Sequence, residues 1–123
     1  IDRVIKTIKD GVGEDGIAVA VIQKNKDAEF GEGGERAERY ADVVLKIDSF
    51  GEESMLTVGK VKSKKKSVVG RMWAFDIVDY GANFFNIREI VKCTGCWGKG
   101  YKRSGQNYIK CDTCNGKKFI SKN

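Results

Sequence analysis

Apolar side chains recur at Val4, Ile5 and Ile8 within IDRVIKTIKD (1–10), with lysine and aspartate opposite, and this spacing predicts an amphipathic helix. GVGEDG (11–16) stops it. IAVAVIQ (17–23) is a short apolar run rich in β-branched residues, which fits a buried strand better than a helix. KNKDAEFGEGGER (24–36) is polar and glycine-rich and reads as a long loop. ERAERY (35–40) allows a short helix, and ADVVLKID (41–48) reads as a second buried strand. After a turn at 49–54, MLTVGKVKS (55–63) and SVVGRMWAFDIVDY (67–80) are strand-like, with the lysines between them at a hairpin tip. A turn at 80–83 leads into a last strand, FFNIREIVK (84–92). The expected fold class is α/β: a mixed sheet with flanking helices over residues 1–91, then a cysteine module over 92–123.

Composition narrows the chemistry. The 123 residues are 41% hydrophobic and 33% charged, which suits a folded domain with a core and excludes a disordered chain. The longest apolar run, Ile17 to Ile22, is far short of the roughly 20 residues of a membrane helix, so no membrane partner is expected. No signal peptide is visible, and the expected setting is cytoplasmic. The first residue is Ile1 rather than Met, which points to a fragment or a processed chain. The absence of histidine removes Ser–His and Cys–His nucleophiles and every His-containing metal site.

The net charge of +6 is unevenly spread. Residues 1–50 carry 8 basic and 11 acidic side chains, residues 51–92 carry 8 and 5, and residues 93–123 carry 7 and 1. The basic excess of the last part favours a polyanion, most often nucleic acid, over the plainer reading of a solubilising tail.

Cys93, Cys96, Cys111 and Cys114 form two C-x-x-C pairs separated by 14 residues. Each pair puts two thiolates on one side of a tight knuckle, and two knuckles joined by a hairpin build a tetrahedral four-sulfur site suited to zinc. Such a closed site is structural rather than catalytic, and its zinc supplies the folding energy of the small module. Chelation is therefore expected to unfold residues 92–118 and leave the sheet largely intact. The alternative is two disulfides. Lys99, Lys102, Arg103, Lys110, Lys117 and Lys118 are the candidate nucleic-acid contacts around the site. Trp97, Tyr101, Tyr108 and Phe119 are interleaved with them, either to stack on single-stranded bases or to pack the small module.

CTGCWGKG (93–100) is a full C-x-x-C-x-G-x-G repeat, and CDTCNGKK (111–118) departs from it only at Lys118. This resembles one zinc centre of the DnaJ-type cysteine-rich domain, which implies a zinc fold and a binding surface. The body resembles the C-terminal half of the RecA-like ATPase core, including the DnaB-type helicases. The resemblance runs through AVAVIQ (18–23), KNKDAEFGEGG (24–34), YADVVLKI (40–47), VGKVKSKKKSVVG (58–70) and RMWAFDIVDYGANFFNI (71–87). It implies that Gln23 senses the γ-phosphate, that Lys24 and Lys26 lie on a DNA-facing loop, and that Lys60 and Lys62 reach a neighbour's ATP in trans. The plainer alternatives are a glutamine that starts a loop and lysines that blunt a hairpin edge.

No G-x-x-x-x-G-K-[ST] occurs, and no strand with an acidic Mg²⁺ ligand precedes Gln23. GVGEDG spells G-x-G-x-x-G but follows a helix and precedes a strand, the reverse of a dinucleotide site. The leading expectation is a C-terminal piece of a RecA/DnaB-like, oligomeric, DNA-dependent ATPase carrying a zinc module, with ATP and Mg²⁺ used only by an intact parent protein. The alternative is a non-enzymatic zinc-bearing module that binds nucleic acid or protein.

Overall fold

The computed structural model describes residues 2–25, 28–31, 33–62 and 68–122. Helix α1 (Asp2–Gly11) forms where the helical spacing places it, supported by an i,i+4 ion pair between Lys6 and Asp10 at 2.8 Å. A single helical turn, α2 (Glu35–Glu38), follows the long loop. Strands β1 (Val43–Phe50), β2 (Glu53–Val61), β3 (Met72–Val78) and β4 (Asn83–Lys92) then run as an antiparallel meander. The cysteine segment carries a separate hairpin of β5 (Tyr101–Ser104) and β6 (Asn107–Lys110). The chain then returns to the main sheet as β7 (Phe119–Ser121), antiparallel to β4, giving the order β1-β2-β3-β4-β7.

This is an antiparallel sheet with little helix, not the mixed α/β sheet with flanking helices that the apolar runs predict. The main difference is IAVAVIQ (17–23), which joins no strand. Val21 is 94% exposed, and Ile17 and Val19 are nearly as open. Continuous apolar composition makes a buried strand only when neighbours lie at its edges and over its faces. Here the segment faces the apolar stripe of α1 across a shallow cavity of about 290 Å³ lined by Val4, Ile5, Ile8 and residues 20–23, and Gly31 lies against Ile22. ADVVLKID likewise becomes an edge strand rather than a buried one. Val43, Leu45 and Ile47 of β1 face solvent on alternate positions, because none of the described residues covers that face.

The core lies on the other face. Phe50, Met55, Ala74 and Ile90 are buried together, with Met72 and Phe119 packed against them. The register explains the set: Met55 stands opposite Ala74, and Met72 opposite Ile90. Phe119 reaches this core because β7 pairs with the end of β4, and its ring meets Phe50 edge-on at 6.1 Å. Two bidentate ion pairs brace the sheet, Arg71 with Glu89 at 2.8 Å and Arg88 with Glu53 at 2.7 Å. Of the aromatics at 73–85, Phe75 is buried and Trp73 half-buried, whereas Tyr80, Phe84 and Phe85 are exposed. The lysine-rich tip at 63–67 lies outside the described residues. Among the described residues no helix is long and apolar enough to cross a membrane.

Candidate metal centre

Two short turns, each built by a C-x-x-C pair, bring the four thiols together. Their sulfurs all lie within 4.8 Å of one another. Cys93 Sγ stands 3.9 Å from Cys111 Sγ, and Cys96 Sγ 3.6 Å from Cys114 Sγ. A tetrahedron with metal–sulfur bonds of about 2.3 Å has edges of about 3.8 Å, so the cluster has the dimensions of a four-thiolate metal site. All four cysteines are free and buried, with Cys93 and Cys111 wholly sealed from solvent. The cluster can hold a metal ion, and four protein ligands leave no open coordination position.

The knuckles are near copies related by a pseudo-twofold arrangement. The amide of Cys111 donates to the carbonyl of Gly100, and the amide of Cys93 donates to the carbonyl of Lys118, at 3.0 and 2.9 Å. Each knuckle thus ends on the first cysteine of the other. The backbone repeats as well: Trp97, Gly98 and Gly100 have φ of 56, 80 and 84°, and Asn115, Gly116 and Lys118 have 54, 78 and 77°. Lys118 therefore holds a left-handed conformation that its counterpart Gly100 adopts without strain. Close approach imposes a second asymmetry. A β-carbon on Gly95 would lie 2.5 Å from Thr113 Oγ1, so the glycine of C-T-G-C makes room for the threonine of C-D-T-C.

The thiols are electrostatically distinct. Burial pushes Cys93 up to about 11. Burial acts in the same sense on Cys96, but the Gly100 amide and the neighbouring thiols of Cys114, Cys93 and Cys111 outweigh it and hold Cys96 at about 6. The Gly100 amide lies 3.1 Å from Cys96 Sγ. The amide of Cys114 leads in lowering Cys111. Backbone amides thus favour thiolate, the metal-binding form, at part of the cluster.

The candidate nucleic-acid contacts differ in what they touch. Lys102 pairs with Asp112 at 3.1 Å, and Lys117 lies over the Phe50 ring at 5.6 Å, which ties it to the sheet. The Lys110 stem covers Gly116, where a β-carbon would come within 2.9 Å of it. Lys99 and Lys118 belong to the two knuckles, and Arg103 Nε donates to the Gly105 carbonyl at 3.0 Å. Trp97 is 80% exposed, and Tyr101 and Tyr108 are also open, whereas Phe119 packs in the sheet core. The hairpin tyrosines thus lie largely at the surface, in edge-on contact with each other.

Of the residues drawn from the ATPase resemblance, Lys24, Lys60 and Lys62 are engaged by partners within the chain. Gln23 borders the shallow cavity beneath α1. Lys60 Nζ donates to the carbonyls of Glu38 and Arg39 at 2.9 and 3.1 Å. Lys62 pairs with Asp42 at 3.1 Å and, ahead of Lys9, holds that carboxyl below its ordinary range. Lys24 is bound to Asp48 with its side chain only 11% exposed, and Lys26 lies outside the described residues. Spacing alone does not show these partners, because Lys24 meets Asp48 within β1 whereas Lys60 and Lys62 meet residues 38–42 just before β1. Comparison with protein-family models, curated proteins and solved structures finds no match.

Proposed function

We propose that this chain is a zinc-bearing nucleic-acid-binding module without catalytic activity of its own. Cys93, Cys96, Cys111 and Cys114 would hold one structural zinc, the ion suited to a closed tetrahedral set of four thiolates. When bound, the metal supplies cross-linking of the two knuckles, and the chain's own β5–β6 hairpin is thereby presented as a rigid basic projection. The observation that carries the reading is the buried four-thiol cluster set within a segment of 7 basic and 1 acidic side chains. The positive field draws phosphates, and release of their counterions makes binding salt-dependent. The test is oligonucleotide binding by zinc-loaded protein over a salt series, together with metal analysis. One zinc per chain and an affinity that falls steeply between about 50 and 200 mM salt are expected. Zinc-free protein that binds as tightly would remove the metal from the mechanism, and loaded protein that binds no oligonucleotide would remove the function.

A second reading places the body in an oligomeric, RecA-like DNA-dependent ATPase. It rests on the order of motifs at 18–87 alone, because the antiparallel sheet with little helix does not match the RecA-like α/β core. Gln23 would then sense the γ-phosphate, and Lys60 and Lys62 would leave their present carbonyl and carboxylate partners to act across a subunit interface. In an oligomer with a phosphate loop, Lys60→Ala should lower turnover by about 10³–10⁵-fold with ATP binding kept. Unchanged turnover would leave these lysines as braces between β2 and residues 38–42.

A further inference from the structure

The β5–β6 hairpin has two unlike faces. Tyr101 stands opposite Lys110 and Arg103 opposite Tyr108, so strand alternation puts these four side chains on one face. Lys102, Ser104, Asn107 and Ile109 take the other. On the first face the two tyrosines lie on one diagonal and the two cations on the other. The tyrosine rings meet at 5.1 Å with planes 81° apart, so they touch edge-on rather than stacking on each other. They remain 46% and 67% exposed. The only acidic residue of the segment, Asp112, is engaged by Lys102 from the opposite face. Among the described residues no carboxylate pairs with Arg103 or Lys110.

Two exposed aromatic rings on a two-stranded hairpin gain little from packing there, and an alternation of rings and cations matches a ligand that itself alternates flat faces and anions. We propose that this face binds single-stranded nucleic acid, with bases stacked on Tyr101 and Tyr108 and phosphates held by Arg103 and Lys110. The proposal rests on the nucleic-acid reading above and adds the form of the ligand. In a duplex the base faces are already covered by their neighbours, so only the cations would find partners. An unpaired strand satisfies both diagonals.

The test uses the zinc-loaded full chain and fluorescence anisotropy with three probes: a short oligothymidylate, an abasic strand of the same length and charge, and a duplex. Wild-type protein should bind the oligothymidylate at least about fivefold more tightly than the abasic strand, a comparison that needs no variant to fold. Tyr101→Ala and Tyr108→Ala, checked for retained zinc, should each weaken oligothymidylate binding by about 5- to 100-fold and leave abasic binding unchanged. Arg103→Ala and Lys110→Ala should weaken both strands and reduce the salt slope by about 0.7 per lost phosphate contact. Equal binding of the oligothymidylate and abasic strands, tyrosine variants that bind as wild type, or a preference for the duplex would overturn the stacking face while leaving nucleic-acid binding in place. Absence of binding to all three probes would overturn both.

Discussion

Removing the zinc proposed for the four-thiol cluster should weaken the main sheet as well as the cysteine segment. This departs from the expectation, drawn from spacing, that chelation spares the sheet, and β7 is the reason. It follows directly on the second knuckle and pairs with β4 through Phe119, Ile120 and Ser121. Ile120 packs on the cysteines while Phe119 packs on the sheet core. If the knuckles open, β7 is no longer held in register. Strand hydrogen bonds contribute about 1 kcal/mol each net, and the edge contact between Phe119 and Phe50 about 0.5–1.5 kcal/mol. Ile90, now 1% exposed, would also gain contact with water. A loss of roughly 3 kcal/mol follows, which at about 4 °C per kcal/mol for a chain of 123 residues lowers the midpoint by about 12 °C. The assay is thermal unfolding of a Trp97→Phe variant, in which Trp73 in β3 is the remaining tryptophan and reports the sheet. Phe119→Ala should lower the zinc-loaded midpoint, and chelation should then cost that variant less than the parent, because both act through β7. An identical Trp73 midpoint with and without zinc would refute the coupling.

Two further outcomes can be checked on the same protein. Lys118→Gly should relieve a left-handed residue at φ 77° and stabilise the zinc-loaded form by about 0.5–1 kcal/mol, read as slower zinc loss to a competing chelator; faster loss would show that the lysine side chain outweighs the strain. Glu89, held at about 2 rather than its ordinary 4.5 chiefly by Arg71, binds fewer protons folded than unfolded across that window. Its contribution is therefore present above pH 4.5 and is lost as pH falls toward about 2. The stability gap between wild type and Glu89→Gln should close over that range, and a gap constant with pH would exclude the Arg71 pairing as its source.

The hairpin tyrosines were visible in the sequence as aromatics among basic residues, but their role turned on exposure. Tyr101 and Tyr108 stay open while Phe119, from the same segment, enters the sheet core; short spacing cannot tell these apart because the distinction depends on which strand β4 accepts as its neighbour. The lysines show the same limit. Lys24, Lys60 and Lys62 are plausible phosphate ligands by pattern, yet each meets an acidic side chain or a carbonyl from residues 38–48.

What the sequence by itself determined is local. The helix at α1 follows from apolar spacing within ten residues, and the four-thiol cluster follows from two C-x-x-C turns that the intervening β5–β6 hairpin folds together. The β3–β4 pair was legible for the same reason, since four residues join Val78 to Asn83. Only the tertiary structure decided that IAVAVIQ stays outside the sheet, that β1 is an edge, and that β7 closes the sheet beside β4. Apolar composition states a demand for burial, whereas whether that demand is met depends on surfaces supplied by residues far along the chain.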